Sequence, residues 1–404
     1  MHRQPATLVI FGALALRLTL ISVIWPTTMA SSDDFRFYAS AATSFLKHGN
    51  FDSVLYLAPG WSVVLAFWRL VSGLSPLSLV LLQALLGTAI VAGVYMLGNM
   101  AFGERVGIGA AILAAVWPPL LIQQFAIGDG MLLYTLLLLF GFYFTVKSVN
   151  DSSWYVPMCA AAAFAAAALT DASGLYMPLI AAGWIFLLGV RSRNVPRALA
   201  KAALLVGCFA ALLAPWAYRN YLENPAPRTL SSPFVEKRVE KDVMSRNLWA
   251  EVHGALAHHP EYVTLALRQF FVVPFNISLL DQYTHVRYAD IALSITSGQE
   301  RYPELSIQQV FIFSAKLLFT LLHLLVIGCA FAALFMRPTR RIALLWLLAV
   351  GYVFVAAVAV GVLTPDFAGI SPLNSFLFPL MPLAFICAAP VAIRVWHVIR
   401  HEYA

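Results

Sequence analysis

The sequence predicts an all-α polytopic membrane protein of about ten transmembrane helices, with two long loops on one face that carry interfacial helices. Three observations predict it. The chain is 61% hydrophobic and only 11% charged, with a mean hydropathy of +0.80, whereas soluble domains run at about half apolar and a quarter charged. The apolar residues form unbroken runs of about 20 rather than alternating stretches of about 10, which selects helices over a closed barrel. In hydrocarbon each backbone N–H and C=O needs a partner, and a helix supplies all of them within its own segment. Finally, the charges in the short connections sort by sign from one connection to the next, as they do across a membrane.

The first run follows Met1-His2-Arg3 and reaches about Trp25. Thr28-Met29-Ala30 is a weak signal-cleavage site, but Arg17 inside the run and the run's length favour a retained first span. Further spans are expected at 78–101, 107–125, 131–147, 154–171, 174–190, 201–218, 309–336, 342–363 and 373–396. With both termini cytoplasmic, the inside connections hold Glu104-Arg105, Lys147, Arg191-Ser192-Arg193 through Lys201, Arg337 to Arg341, and the tail from Arg394 to Arg400. The short outside connections hold Asp129, Asp171 and Asp366 and no Lys or Arg. This sorting also accounts for the net charge of +7, so no nucleic-acid partner is expected. Cys159, Cys208, Cys329 and Cys387 lie inside apolar segments without metal-ligand spacing or a disulfide framework.

Two long loops, 27–77 and 219–308, fall on the outside face of what reads as a single membrane domain over 1–404. In the first, Tyr38, Ala42, Phe45 and Leu46 share a helical stripe, and Trp61 to Leu70 is apolar with Arg69 near its end. The second holds the charged run Glu236 to Asp242 and a more amphipathic stretch from Tyr262 to Phe271.

The residues able to do chemistry gather on that face. Asp33 and Asp34 are adjacent carboxylates at a membrane-water boundary. Position alone leaves two readings open: a cap for the helix that follows, or a carboxylate that takes a proton from a hydroxyl or ligates a divalent cation. Asp129 and Asp171 sit on the same face, where each alone reads as a cap. Arg219 ends the seventh span and Lys316 lies about two turns inside the eighth, where snorkelling explains either cation. Snorkelling explains Arg17, near the middle of the first span, less well. His258-His259-Pro260 is too short a cluster for a metal site. There is no phosphate-binding glycine loop, Ser-His-Asp pattern or zinc spacing. A membrane enzyme without a nucleotide site needs a substrate already activated in the lipid phase.

Five local features stand out in order. Asp33-Asp34-Phe35-Arg36-Phe37-Tyr38, Ala42 and Lys47-His48-Gly49-Asn50-Phe51 come first, then Ala58-Pro59-Gly60-Trp61 and Gly103-Glu104-Arg105-Val106-Gly107. Pro215-Trp216-Ala217-Tyr218-Arg219-Asn220 and His259-Pro260-Glu261-Tyr262 follow. Together they resemble the GT-C superfamily of integral-membrane glycosyltransferases, in particular its bacterial branch of protein O-mannosyltransferase-like and lipid A aminoarabinose transferase-like proteins. The first is similar to the family's acidic pair, Tyr, Ala and Gly-x-aromatic stop, the second to its Pro-Gly-Tyr-Pro run and the third to its Gly/Arg turn. The last two resemble its Pro-Trp-x-x-Arg-Asn segment and its His-Pro-x-x-Tyr helix. The resemblance implies an inverting transfer of a sugar from a polyprenyl-phosphate donor in the membrane to an envelope acceptor, on the periplasmic face of a bacterial inner membrane. It implies Asp34, then Asp33, as the base, and Arg219 for the donor phosphate, with Lys316 or a basic residue of the long loop as the substitute for arginines of the pattern that this chain lacks. A divalent cation (Mg2+ or Mn2+) would be held by Asp34 and Asp129, while Tyr38, His259 and Asp171 are further candidates. Two arginines of the pattern are absent: Thr170-Asp171-Ala172 stands where the family often has Thr-Arg-Pro, and Ser375 to Pro382 keeps two prolines of the last span without its arginine. Those absences support an alternative, a non-catalytic scaffold for a lipid-linked glycan or partner proteins. A flippase is less favoured, because it would place its ionisable residues nearer mid-bilayer.

Overall fold

The computed structural model describes residues 4–24, 33–49, 51, 58–126, 130–223, 307–363 and 378–402, and every regular element among them is helical. In chain order these are α1 (Gln4–Ile24), α2 (Asp33–His48), α3 (Gly60–Ser72), α4 (Pro76–Phe102), α5 (Glu104–Val116), α6 (Pro118–Ile122), α7 (Met131–Asn150), α8 (Tyr155–Ala168), α9 (Met177–Arg191) and α10 (Val195–Glu223). After them come α11 (Ile307–Ala332), α12 (Arg340–Leu363) and α13 (Met381–Glu402). Short 3-10 turns lie at Gln123–Phe125, Ala172–Tyr176 and Phe378–Leu380.

Each of the ten expected spans contains helical residues, the last of them being described only from residue 378. Six of the described helical segments are long and apolar enough to cross a membrane, and a bent pair makes up to seven. The bent pair is α5 with α6 and its 3-10 turn, where the axis turns by 59°. Its cause is Pro118-Pro119. A residue before proline is pushed out of the helical region, and Trp117 is extended at φ −71°, ψ 116°. Pro118 then starts the next helix, where its missing N–H costs nothing. The window over 107–125 had averaged across this break. Likewise α8 is 14 residues long, about 21 Å at 1.5 Å per residue, short of the roughly 30 Å hydrocarbon core.

Helix α1 lies against α4 and α5, α4 also packs on α7, and α7 pairs with α8. Helix α10 joins α8 to α9, while α13 packs on α5, α11 and α12. Where α4 meets α5 the backbones come close: a Cβ on Gly107 would stand 2.9 Å from the Tyr95 carbonyl oxygen. Small residues of this kind let membrane helices approach without a hydrophobic driving force. Trp184 of α9 donates its indole N–H to the Arg341 carbonyl at 2.8 Å, tying α9 to the start of α12.

The buried hydrophobic residues form two clusters. The larger runs through α4, α5, α7 to α10 and α11 to α13. The smaller joins Ile21, Ala42, Trp61, Leu65, Val80, Ala84 and Phe125, so it fastens α2 and α3 onto α1 and α4. That second cluster anchors the first long loop.

Candidate functional site

Three connections meet beneath α3. The Gly60 N–H donates to the Leu169 carbonyl at 2.6 Å, and a Cβ on Gly60 would stand 2.6 Å from Thr170 Oγ1 and 2.7 Å from the Leu169 oxygen. Only glycine fits this approach of backbone to backbone. Gly130 closes the third side, since a Cβ there would lie 3.0 Å from Thr170 and 3.1 Å from Trp61. Trp61 is 0% exposed, and its indole N–H has no hydrogen-bond partner among the described residues.

Helix α2 begins with Asp33 and Asp34, at the N-terminal end where backbone N–H groups and the dipole favour a negative charge. Ala41 and Ala42 are buried against α3, and Arg69 of α3 donates to Thr43 Oγ1. Tyr38 is half-buried against the second cluster. At the far end of α2 an aromatic ladder crosses to α10. Phe45 stacks on Phe51 with centroids 4.8 Å apart and 9° between planes. Phe51 meets Trp216 edge-on at 6.2 Å. Arg219 lies with Cζ 4.8 Å from the Trp216 ring centroid and donates from Nη2 to the Phe51 carbonyl at 3.4 Å. The cation expected to hold a phosphate is therefore joined to the loop that carries the carboxylates.

Asp171 accepts the Ser173 N–H at 2.8 Å and caps the 3-10 turn Ala172–Tyr176. Ser173 Oγ donates to the Tyr134 hydroxyl at 2.9 Å, and Tyr352 reaches the Ser173 carbonyl at 3.5 Å. The capping role read for Asp171 from position alone is thus the one its contacts display. Lys316 belongs to α11. Asp129 and His259 lie outside the described residues. Among the described residues no three His, Cys, Asp or Glu side chains gather where they could hold a metal ion.

Arg17 is 0% exposed, and none of its three guanidinium nitrogens has a hydrogen-bond partner among the described residues. A Cβ on Gly87 would come within 2.6 Å of its Nε. It stands between Ala13 of the larger cluster and Ile21 of the smaller, one turn from each. Gln83 lies one turn from Gly87 on α4 and donates to the Ala126 carbonyl at 3.4 Å. A charge inside an apolar run was the sequence signal for Arg17. The ladder from Phe45 to Trp216 had none, because its ends are far apart in the chain.

No family model matches the sequence, and no curated protein matches it. Solved structures do. The oligosaccharyltransferase of Archaeoglobus fulgidus, in a complex with Zn and sulfate, superposes with a TM-score of 0.59 at 14% identity, over 97% of this chain and 50% of that one. The archaeal oligosaccharyltransferase AglB from Archaeoglobus fulgidus, in complex with an inhibitory peptide and a dolichol-phosphate, gives 0.52 at 14% identity, over 97% of this chain and 51% of that one. At this identity the likeness shows a shared fold with these two membrane enzymes. The chain spans about half the length of those solved chains. ArnT from Cupriavidus metallidurans, bound to undecaprenyl phosphate, is similar at a TM-score of 0.47 and 15% identity over 94% of this chain and 76% of that one, too weak a likeness to assign a branch.

Proposed function

We propose that the chain moves a sugar, with inversion, from a polyprenyl-phosphate donor to a glycan, lipid or protein acceptor on the periplasmic face of a bacterial inner membrane. The observation that carries this reading is the junction of Arg219 with the first loop, through the Phe51 carbonyl and the Trp216 ring. The GT-C fold supports it, as does the dolichol-phosphate bound by AglB. In the proposed step Asp34, with Asp33 beside it, takes the proton from an acceptor hydroxyl. The freed oxygen attacks the anomeric carbon from the face opposite the phosphate. The bond from that carbon to the phosphate oxygen breaks, and the polyprenyl phosphate leaves with the electron pair. Arg219, with Lys316 as second cation, stabilises the charge that develops on it. Tyr38 and His259 are proposed contacts of the sugar or acceptor. A divalent cation, if one serves, would be held by Asp34 and Asp129 and would offset the same charge.

Lipids retained through purification test the donor half of this reading. Mass measurement of the wild-type extract is expected to find a polyprenyl phosphate or its glycosylated form. Arg219→Met is expected to lower that retention about tenfold, the scale of one charge-assisted contact, while Asp34→Asn keeps it. Equal retention by wild type and Arg219→Met would remove Arg219 from the donor site. The scaffold reading is favoured by one observation: Asp171 is occupied as a cap at the place where the family pattern often has an arginine.

A further inference from the structure

At the opposite end of the bundle, a cavity of about 170 Å³ lies between the end of α7, the end of α9 and the first turns of α10, well above the ~10–15 Å³ that one water needs. Its polar lining includes Asn150, Asp151, Ser152, Asn194, Arg197 and Lys201. Lys201 is 4% exposed, and its ammonium donates to the carbonyls of Ser148 and Asp151. Arg197 donates from Nη2 to the Ser152 carbonyl at 2.9 Å. Both cations therefore cap the end of α7, and both do so on neutral oxygens. The negative charge set against them in the cavity lining is that of Asp151, which acts on Lys201.

The surroundings add to that excess. Lys147 precedes the cavity on α7, Arg191 ends α9, and Arg193 lies in the turn between α9 and α10. The cavity's one carboxylate, Asp151, accepts the Ser153 N–H at 2.9 Å, a bond that holds its carboxyl below the usual carboxylate range, with Lys147 and Lys201 adding smaller contributions. Helix α10 also starts here, and its free N–H groups favour an anion. The turn itself holds an arginine in an unusual place. Asn194 N–H bonds the Gly189 carbonyl and Arg193 N–H the Val190 carbonyl, the pattern that commonly ends a helix with glycine in the left-handed region. Arg193 occupies that position at φ +57°, so a charged side chain stands where glycine fits without strain.

We propose that this cavity binds a phosphate group, presented by the headgroup of an acidic membrane lipid or by free phosphate, with Arg197 and Lys201 as its cationic contacts. The cavity lies at the ends of three helices long and apolar enough to cross a membrane, and basic pockets between spans hold lipid phosphates by this chemistry. It is separate from the carboxylate end and does not depend on glycosyl transfer.

The test is native mass spectrometry of the full chain in detergent, titrated with phosphatidylglycerol, with phosphatidylcholine and with inorganic phosphate. The expected result is retention of phosphatidylglycerol over phosphatidylcholine, reduced about fivefold in Arg197→Gln, the scale of one interfacial cation. Asp151→Asn keeps the acceptor for Ser153 and removes the opposing charge. It is expected to retain about two- to fivefold more, a gain that a misfolded variant cannot imitate. Inorganic phosphate that displaces the lipid at millimolar concentration makes the free ion a competent occupant, and failure to displace it assigns the site to the lipid. Equal retention of the two lipids without phosphate binding, or retention unchanged in both variants, would overturn the proposal.

Discussion

Arg17 and Gly60 show how single positions constrain this bundle. A guanidinium fully out of solvent, with no hydrogen-bond partner among the described residues, is a charge whose desolvation is not offset, and apolar replacement of such groups is often stabilising. Arg17→Met is therefore expected to raise stability in detergent by about 1–4 kcal/mol, read as a higher midpoint of thermal unfolding. A lower midpoint would mean that the guanidinium has a partner in the membrane. Gly60 acts in the opposite sense. Its approach to the Leu169 carbonyl leaves no room for a Cβ, so Gly60→Val is expected to cost at least about 1–3 kcal/mol through overpacking, and the same unfolding assay measures it. A variant as stable as wild type would contradict the contact between α3 and the end of α8.

Among the helices, α2 decides how the carboxylates are held. It is fastened on one side by Ala41 and Ala42 against α3 and at its end by the stack of Phe45 on Phe51. Phe51→Ala removes both the stack and the edge contact to Trp216, each worth about 0.5–1.5 kcal/mol. Amides of α2 are then expected to exchange faster while those of α7 do not change. Equal protection in α2 would show that the ladder does not hold the loop. The break at Trp117 was legible in Pro118-Pro119, yet a window of hydropathy read through it, because both halves are apolar. The amphipathic stripe of Tyr38, Ala42, Phe45 and Leu46 predicted a helix where α2 stands, since a helix with one buried face keeps the 3.6-residue period; the first three face the smaller cluster, while Leu46 is exposed.

For the molecule as a whole, composition and unbroken apolar runs were enough to predict a helical membrane bundle, because the bilayer permits few alternatives. The position of helices followed; how they pair did not. The Arg219 contact with Phe51 joins residues 168 positions apart, and no local pattern encodes it. The split of the core into two clusters was equally invisible. Position alone left Asp171 most simply a cap, and the cap is what is observed. Ten spans were expected, and among the described residues six helices, or seven with the bent pair, have the length and apolarity to cross a membrane.

The central claim concerns the carboxylate end, and transfer itself tests it most directly. The purified chain, reconstituted in lipid with a radiolabelled polyprenyl-phosphate sugar and a cell-envelope acceptor extract, is expected to move label into the acceptor and release polyprenyl phosphate. Asp34→Asn is expected to lower that rate at least about 10²-fold, the lower range for loss of a general base, while insertion and the unfolding midpoint stay as in wild type. Near wild-type turnover by Asp34→Asn would remove Asp34 from the mechanism, and no transfer by wild type from any polyprenyl-phosphate sugar would contradict the account.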